Sequence, residues 1–326
     1  MNIHPMWSEY PDIKAQLAEM MTVIEKNIKI REKQIETNVK NLIHAGGKLL
    51  RPTYFLLSSK IGPHYDKNQA ISVAAALEVL HMATLVHDDV IDDAKTRRGI
   101  ETIQAKFGKD YAVYTGDYLF CVCFKILAHH ASELSQIALN TTSMEKILLG
   151  ELDQMSMHYN FEMTVKDYLR QIAGKTAQLF SLSCYLGAEI SQASTYNKLL
   201  AKKIGHNIGM AFQILDDILD YTQNPDTIGK PVLGDIKQGI YSLPLIYAMK
   251  KNPHKFIFHL EKKEAMTEAD LATIITLITK YDGVQEAQKL AAKYTDKALK
   301  QIQQLPEGEY REQMLQISKL LLERTM

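Results

Sequence analysis

The sequence predicts an all-α fold, a bundle of helices around an apolar interior. Apolar residues recur at helical spacing along most of the chain, for example from Leu17 to Ile28 and from Leu77 to Ile91. No segment shows sustained strand alternation bounded by hairpin turns. With 326 residues, of which 46% are hydrophobic, the chain can bury a large core. We therefore expect one domain over residues 1–326.

Glycine and proline divide this pattern into about ten helices. The predicted breaks, in chain order, are Gly46-Gly47, Gly62-Pro63, Gly99, Gly116, Asn224-Pro225, Gly229 to Gly239, Asn252-Pro253 and Pro306-Glu307-Gly308. None of them is long enough to separate domains. The most apolar tract runs from Ile71 to Val86, but Glu78 and His81 interrupt it. It therefore predicts a buried core helix rather than a transmembrane segment.

Composition and charge exclude several classes of protein. The 38 basic and 38 acidic side chains cancel, so net charge gives no basis for binding nucleic acid. The three cysteines, Cys121, Cys123 and Cys184, contain no Cys-x-x-Cys pair and cannot form a disulfide framework. Glu9 and Asp12 precede any apolar run, unlike the order of a secretory signal. A reducing, cytoplasmic location is the simplest expectation.

Two apolar helices carry the same acidic motif, Asp88-Asp89-Val90-Ile91-Asp92 and Asp216-Asp217-Ile218-Leu219-Asp220. On a helix the first and last aspartates of each motif lie about 40° apart on one face, where unpaired carboxylates repel. Carboxylates without a His or Cys cluster favour Mg²⁺, which completes its shell with water and substrate phosphates. For one motif, a solvated helix end or a cap is an equal alternative. The repetition favours a metal-bound diphosphate.

Basic residues accompany both motifs. They comprise Lys48 and Arg51 after Gly46-Gly47, Arg97 and Arg98 before Gly99, Lys175 beside Thr176, and Lys230 and Lys237. Glycines permit close backbone approach, and Lys and Arg are phosphate ligands. The first group is not a Walker loop, because neither Ser nor Thr follows the lysine. Singly each residue suits a surface position; only the set suggests phosphate binding.

The motifs, in this order, resemble those of the trans-isoprenyl diphosphate synthases, the polyprenyl synthetase family. The resemblance runs from about residue 40 to residue 250 and also includes His81, Gly150-Glu151 with Gln154, Gln213, and Gly229-Lys230-Pro231. It implies an isoprenoid-synthase-type helical bundle around a deep central apolar cavity. It also implies a prenyltransferase that binds about three Mg²⁺ ions with diphosphate. The chain departs from the family at Leu49, often basic, and at Ile240, usually lysine.

The resemblance assigns roles to individual residues. It implies that isopentenyl diphosphate binds Lys48, Arg51, His81 and Arg98. It implies that the allylic diphosphate binds Arg97, Lys175, Thr176, Gln213 and Lys230, with Lys237 able to replace the lysine missing at Ile240. Mg²⁺ is expected on Asp88, Asp92 and Asp216, and the catalytic set is completed by Asp89, Asp217, Asp220 and Lys175.

Product length depends on the residues one turn before Asp88. Ala83 and Thr84 are small, which leaves room for a growing chain and predicts a product of about C30 to C40. The alternative is that they only allow close helix packing. The likeness is strongest to long-chain members that make a heptaprenyl product for menaquinone side chains. Such enzymes act as obligate dimers, with a small non-catalytic subunit or with themselves.

Two rival functions remain at this point. A class I terpene cyclase or a head-to-head prenyl coupler would share the metal chemistry, but it would not need the segment from Gly46 to Arg51 and Arg98 for a second diphosphate. A non-catalytic regulatory subunit would not need intact aspartates. A homodimeric synthase making another chain length is the nearer alternative.

Overall fold

The structure is a computed structural model that describes residues 3–45, 47–130, 134–222 and 234–322, without the side chains of 130–141 and 143. The helices within it are α1 (Pro11–Asn27), α2 (Lys33–His44), α3 (Leu50–Ser58), α4 (Lys67–Ile91), α5 (Ile103–Phe107), α6 (Lys109–His130), α7 (Leu134–Ser156), α8 (Val165–Ile172), α9 (Gln178–Ile190), α10 (Thr195–Thr222), α11 (Gly234–Lys237), α12 (Leu243–Lys251), α13 (Pro253–Leu260), α14 (Glu268–Lys280), α15 (Gly283–Ile302) and α16 (Glu309–Leu322). A π-helix, Ala173–Ala177, joins α8 to α9. The all-α prediction is confirmed.

One small hairpin was not predicted. Strands β1 (Thr96–Arg97) and β2 (Ile100–Glu101) pair antiparallel, with Arg97 opposite Ile100. The predicted break at Gly99 is the turn of this hairpin. Two-residue strands are too short for alternation to register in the sequence.

The chain divides into two compact units, and neither is continuous in sequence. The first comprises Met1–Thr141 and Ser183–Leu199, and the second comprises Thr142–Leu182 and Leu200–Met326. The first aspartate motif belongs to the first unit and the second motif to the second unit. The single domain expected over residues 1–326 stays a prediction.

Helix α4 forms the core of the first unit and packs against α1, α3 and α6. Its first turn is capped by Asp66, whose Oδ1 accepts hydrogen bonds from the backbone N–H of Asn68 and Gln69 at 2.8 and 3.0 Å. Every residue from Ala70 to Leu80 is buried. A helix that is apolar all round is typical of a protein core, which confirms the prediction for this segment.

Two described helices are long and apolar enough to cross a membrane, Lys67–Ile91 and Lys109–His129. Of the apolar stretch within each, 78% of the first and 39% of the second is buried inside the protein. Because most of its apolar stretch is buried, the first is a core helix of the protein. The second leaves Tyr111 and Tyr114 exposed.

The break predicted at Gly116 is wrong, because this residue lies inside α6. A Cβ atom there would come within 2.6 Å of the His87 ring. The ring of His87 also stacks on Phe120, with centroids 5.5 Å apart, and its Nε2 lies 3.2 Å from Oδ1 of Asp117. Gly116 therefore permits the close approach of α4 and α6 beside the first aspartate motif.

In the second unit α12 packs against α8, α13, α14 and α15. The second unit also contains two places where helix backbones approach closely. Cβ atoms added at Gly150 of α7 and at Gly209 of α10 would lie 2.9 Å from Cα of Gly174 and 2.5 Å from Cα of Ala177. Both glycines bring a helix against the π-helix that carries Lys175 and Thr176.

Candidate active site

The first aspartate motif stands at the end of α4. The helix ends at Ile91, and Asp92 occupies the cap, with its N–H donating to the carbonyl of Asp88 at 2.8 Å. Asp88 is half-buried and Asp92 is exposed, so both carboxylates meet solvent. Asp89 is only 2% exposed. The motif therefore presents its outer aspartates and buries the middle one.

Asp89 is held by Arg97, whose Nε donates to its Oδ1 at 2.7 Å. Burial raises the pKa of Asp89, and the guanidinium of Arg97 opposes that rise. The pairing gives Arg97 a structural partner in addition to the diphosphate role expected from the sequence. A buried carboxylate needs such a partner, because an unpaired buried charge is costly.

Arg98, the residue after Arg97, lies in the turn of the hairpin and contacts a different part of the first unit. Arg98 and Gly99 form the two-residue turn, and both have positive φ, 52° and 77°, as a type I′ turn requires. The guanidinium of Arg98 lies over Gly47, where a Cβ atom would be 2.8 Å from both terminal nitrogens. The loop that follows Gly47 is anchored by Trp7. This side chain is fully buried, and its Nε1 donates to the carbonyl of Lys48 at 2.9 Å.

Arg51, His81 and Arg98 form a cationic cluster in which His81 is neutral. Burial, followed by the charges of the neighbouring arginines, lowers the pKa of His81 well below its ordinary value. Nη1 of Arg51 lies 3.1 Å from Nε2 of His81. A guanidinium can only donate, so Nε2 accepts and the proton of His81 resides on Nδ1. In this state His81 orients Arg51.

Glu78 supplies the counter-charge to this cluster and was missed in the sequence. It is 4% exposed, and its charge supports the protonated forms of Arg51 and Arg98. Burial raises the pKa of Glu78, and Arg98 and Arg51 oppose that rise. Burial also lowers the pKa of Arg51 to about 10. The signal was present, since a glutamate inside a buried apolar helix needs a charged partner.

In the second unit Lys175 and Thr176 lie on the π-helix. Nζ of Lys175 donates to Oε2 of Glu151 at 3.0 Å, and Thr176 is buried. Single-turn π-helices occur frequently at functional sites because the extra residue changes where side chains point. The Gly150–Gly174 approach places α7 close enough for the Lys175–Glu151 pair.

The second aspartate motif lies within α10, which continues beyond Asp220 to Thr222. Asp216 and Asp220 are exposed. Both oxygens of Asp217 accept hydrogen bonds, Oδ1 from Nε2 of Gln213 at 2.7 Å and Oδ2 from the hydroxyl of Tyr168 at 2.6 Å. Burial raises the pKa of Asp217 to about 7, and these two donors oppose the rise.

Thr176 joins this network by donating from Oγ1 to Oε1 of Gln213 at 2.6 Å. The structure thus brings together Thr176 and Gln213, which were both expected to bind the allylic diphosphate, and Asp217 of the second aspartate motif. Tyr168 is the member that the sequence did not reveal.

Two further basic residues named from the sequence are Lys230 and Lys237. Lys230 lies outside the described residues, as does Gly46. Lys237 pairs with Glu268 at 2.9 Å, and its carbonyl accepts from the hydroxyl of Tyr159 at 2.9 Å. Ile240 is half-buried. Lys237 as a replacement phosphate ligand therefore stays a prediction.

The residues expected to affect product length differ in exposure. Ala83 is fully buried, whereas Thr84 is half-buried and its Oγ1 donates to the carbonyl of His81 at 2.8 Å. Thr84 is also one turn from Asp88 on the same face of α4.

The donor set fits Mg²⁺. Within the described ranges, no three His, Cys, Asp or Glu side chains converge into a ready metal site. Each motif nevertheless offers two solvent-contacting carboxylates, in Asp88 and Asp92 and in Asp216 and Asp220. Hard oxygen donors in small number suit Mg²⁺, which keeps several waters and binds substrate phosphates.

Comparison with known proteins gives a consistent result. Residues 32–278 match the family model described as polyprenyl synthetase. The chain is 37% identical to heptaprenyl diphosphate synthase component 2 of Bacillus subtilis, covering 96% of this chain and 92% of that protein. It is also similar to two solved structures. Geranylgeranyl pyrophosphate synthase from Lactobacillus brevis is 42% identical, with a TM-score of 0.94 over 98% of this chain and 99% of the other. Heptaprenyl diphosphate synthase from Staphylococcus aureus is 35% identical, with a TM-score of 0.91 over 96% and 99%.

Proposed function

The chain belongs to the polyprenyl synthetase family and is a prenyltransferase of the all-α isoprenoid-synthase fold, and from this premise we propose its reaction. It is a trans-prenyl diphosphate synthase of the long-chain type that condenses isopentenyl diphosphate with an allylic diphosphate, for which farnesyl diphosphate is the proposed primer. A heptaprenyl product, within a range of about C30 to C40, is the proposed end point.

The observation that carries this proposal is the cationic cluster of Arg51 and Arg98 around the buried Glu78. An enzyme that ionises one allylic diphosphate and cyclises it has no use for a second set of phosphate ligands. Here Lys175 with Thr176 and Gln213 is one set, and the cluster is another. Two sets fit a reaction that joins two diphosphate substrates, and they count against the terpene cyclase alternative.

Each group of residues has a proposed task. Mg²⁺ bound by Asp88, Asp92 and Asp216 would neutralise the departing pyrophosphate. Lys175, Thr176, Gln213 and Arg97 hold the allylic diphosphate while its C–O bond breaks, and preorganised donors lower the cost of that charge separation. Lys48, Arg51 and Arg98 hold isopentenyl diphosphate, whose double bond attacks the allylic cation. Loss of a proton, with pyrophosphate as the base, then restores a double bond.

The proposed product length is supported by the small residues of α4 and by some of the relatives, whereas another relative is named for a shorter product. Ala83 and Thr84 leave no bulky side chain one turn before Asp88. The Bacillus subtilis and Staphylococcus aureus relatives are named for a heptaprenyl product, and the Lactobacillus brevis relative for a geranylgeranyl product. The proposed use of the heptaprenyl group is as the side chain of menaquinone, and the proposed location of the enzyme is the cytoplasm.

A second protein chain is the proposed partner, in an obligate dimer with a small non-catalytic subunit or with a second copy. Helix α7 exposes four large apolar side chains, Leu148, Leu149, Leu152 and Met155, each at least 47% exposed. A row of this kind is typical of an interaction surface. The name component 2 of the Bacillus subtilis relative refers to a protein of more than one part.

The test is elongation by the purified chain alone, with labelled isopentenyl diphosphate, farnesyl diphosphate and Mg²⁺, and with EDTA as the control. Chromatography of the product is expected to show a ladder that ends near C30 to C40. No product alone but recovery with host extract would establish a required second subunit. No product under either condition would contradict the proposed function, and a cyclic or head-to-head product would favour the rival enzymes.

A further inference from the structure

We propose that Tyr168 is a positioning residue for the allylic diphosphate and acts through Asp217 on Gln213 and Thr176. This inference rests on the proposed function and adds to it a residue that contacts neither substrate nor metal. Tyr168 sets the orientation of Gln213 and Thr176, the two side chains proposed to bind the phosphate.

The direction of each hydrogen bond follows from the chemistry of the groups. In its ionised form Asp217 only accepts, so it faces the NH₂ group of Gln213 and the hydroxyl of Tyr168. The amide of Gln213 then has its Oε1 turned to Thr176, whose Oγ1 donates to it at 2.6 Å. One N–H of Gln213 is used by Asp217 at 2.7 Å, which leaves the second N–H for a phosphate oxygen.

Tyr168 is placed by its own helix rather than by the network. Helix α8 begins with a capping box, in which the hydroxyl of Thr164 accepts from the N–H of Asp167 at 3.2 Å and the Asp167 carboxylate accepts from the N–H of Thr164. Tyr168 follows directly and is 2% exposed. The chain then runs without a break from α8 into the π-helix that carries Thr176.

Tyr168 and Thr176 belong to one continuous helical run and contact two α10 residues that are one turn apart, Asp217 and Gln213 respectively. Removing the Tyr168 hydroxyl would leave Oδ2 of the half-buried Asp217 without its donor. The carboxylate would then turn toward other donors, and Gln213 would lose the fixed acceptor that orients its amide. A tyrosine that served only to fill the core would not affect Gln213.

The experiment compares Tyr168→Phe with Tyr241→Phe in the full chain. Tyr241 is the matched control, because it is 3% exposed and its buried hydroxyl has no hydrogen-bond partner within the described structure. Initial rates are measured with farnesyl diphosphate and isopentenyl diphosphate varied separately at fixed Mg²⁺. We expect Tyr168→Phe to raise the KM for farnesyl diphosphate about tenfold and to change the KM for isopentenyl diphosphate less than about twofold. Tyr241→Phe is expected to change neither KM.

A double-mutant cycle tests the route through Gln213. In a Gln213→Ala background, Tyr168→Phe should alter the KM for farnesyl diphosphate less than about twofold. Additive effects, or an unchanged KM in the single variant, would overturn the inference. If Tyr168→Phe does not fold by circular dichroism, Asp217→Asn replaces it, with the same KM split expected and the same unchanged KM overturning the proposal. Failure of the wild-type chain to form product would instead sink the proposed function.

Discussion

The two aspartate motifs have the same sequence pattern but different structural support. In the first, the helix ends at Ile91 and the middle aspartate, Asp89, pairs with a cation, Arg97. In the second, α10 continues past the motif and Asp217 is held by neutral donors. Helical periodicity places the outer aspartates of both on one face. The partner of the middle aspartate depends on what each unit packs against it.

A second difference lies one turn before each motif. Thr84 precedes Asp88, whereas Phe212 precedes Asp216 at the matching position. The ring of Phe212 packs near Phe180, with centroids 5.8 Å apart. The first motif therefore has a small side chain below it and the second an aromatic one. A product chain that grows past Thr84 of α4 would meet less bulk than one that grows past Phe212 of α10.

Removing an outer aspartate from either motif should have the largest effect. Asp88→Ala and Asp216→Ala are each expected to lower kcat by about a hundredfold or more, because these groups stabilise charge in the transition state. The unfolding midpoint should change little, since both side chains meet solvent. Steady-state kinetics checks the first point and thermal unfolding the second. Asp296→Ala, an exposed aspartate of α15, is the control, and equal kinetics in all three variants would contradict the assignment.

Removing Arg97, the charged partner of Asp89, should have the next largest effect, which is a loss of stability. Arg97→Met leaves a buried carboxylate without its cation and is expected to cost about 3 kcal/mol of unfolding free energy in urea titrations. Adding Asp89→Asn should restore most of it, because the buried charge is then absent. Loss of the same stability in the double variant would show that Arg97 acts through packing instead.

Two glycines at the contacts of the motif helices, Gly209 within α10 and Gly116 of α6 against α4, should differ in their response to alanine. At Gly209 the atom nearest to the added methyl group is Cα of Ala177, and at Gly116 the nearest atoms belong to the imidazole of His87. A backbone cannot move aside as a side chain can, so we expect Gly209→Ala to cost about 2 kcal/mol and Gly116→Ala about 1 kcal/mol. Denaturant unfolding of the two variants measures the difference, and the reverse order would contradict this account.

Bulk added to α4 about one turn before Asp88 should affect the length of the product more than the rate of the first condensation. Thr84→Phe places bulk one turn before Asp88 and is expected to shorten the product while the first condensation proceeds at a similar rate. Ala83→Phe should also shorten it, with a loss of stability of about 1–3 kcal/mol because Ala83 is fully buried. Chromatography of the products checks both. A product distribution identical to that of the wild-type chain would mean that the chain grows along another route.

Sequence periodicity predicted much of this, and the exceptions have a common cause. The all-α fold and the shared face of Asp88 and Asp92 follow from local helical geometry. The partner of Asp217 does not, because Tyr168 is 49 positions away and nothing in its own segment marks it. Gly116 misled for a related reason, since its role is visible only with His87 beside it. Glu78 was open to prediction, because charge inside an apolar helix already implies a neighbour.

The π-helix Ala173–Ala177 makes the number of residues in this segment a constraint of its own. Each residue of an α-helix turns the chain by about 100°, and a π-helix accommodates one residue more than the regular helix. Deleting any one of the five would restore a regular helix and rotate α8 relative to α9. Tyr168 and Thr176 could then no longer both reach α10. Natural variation here should therefore accept exchanges of side chains far more readily than changes of length.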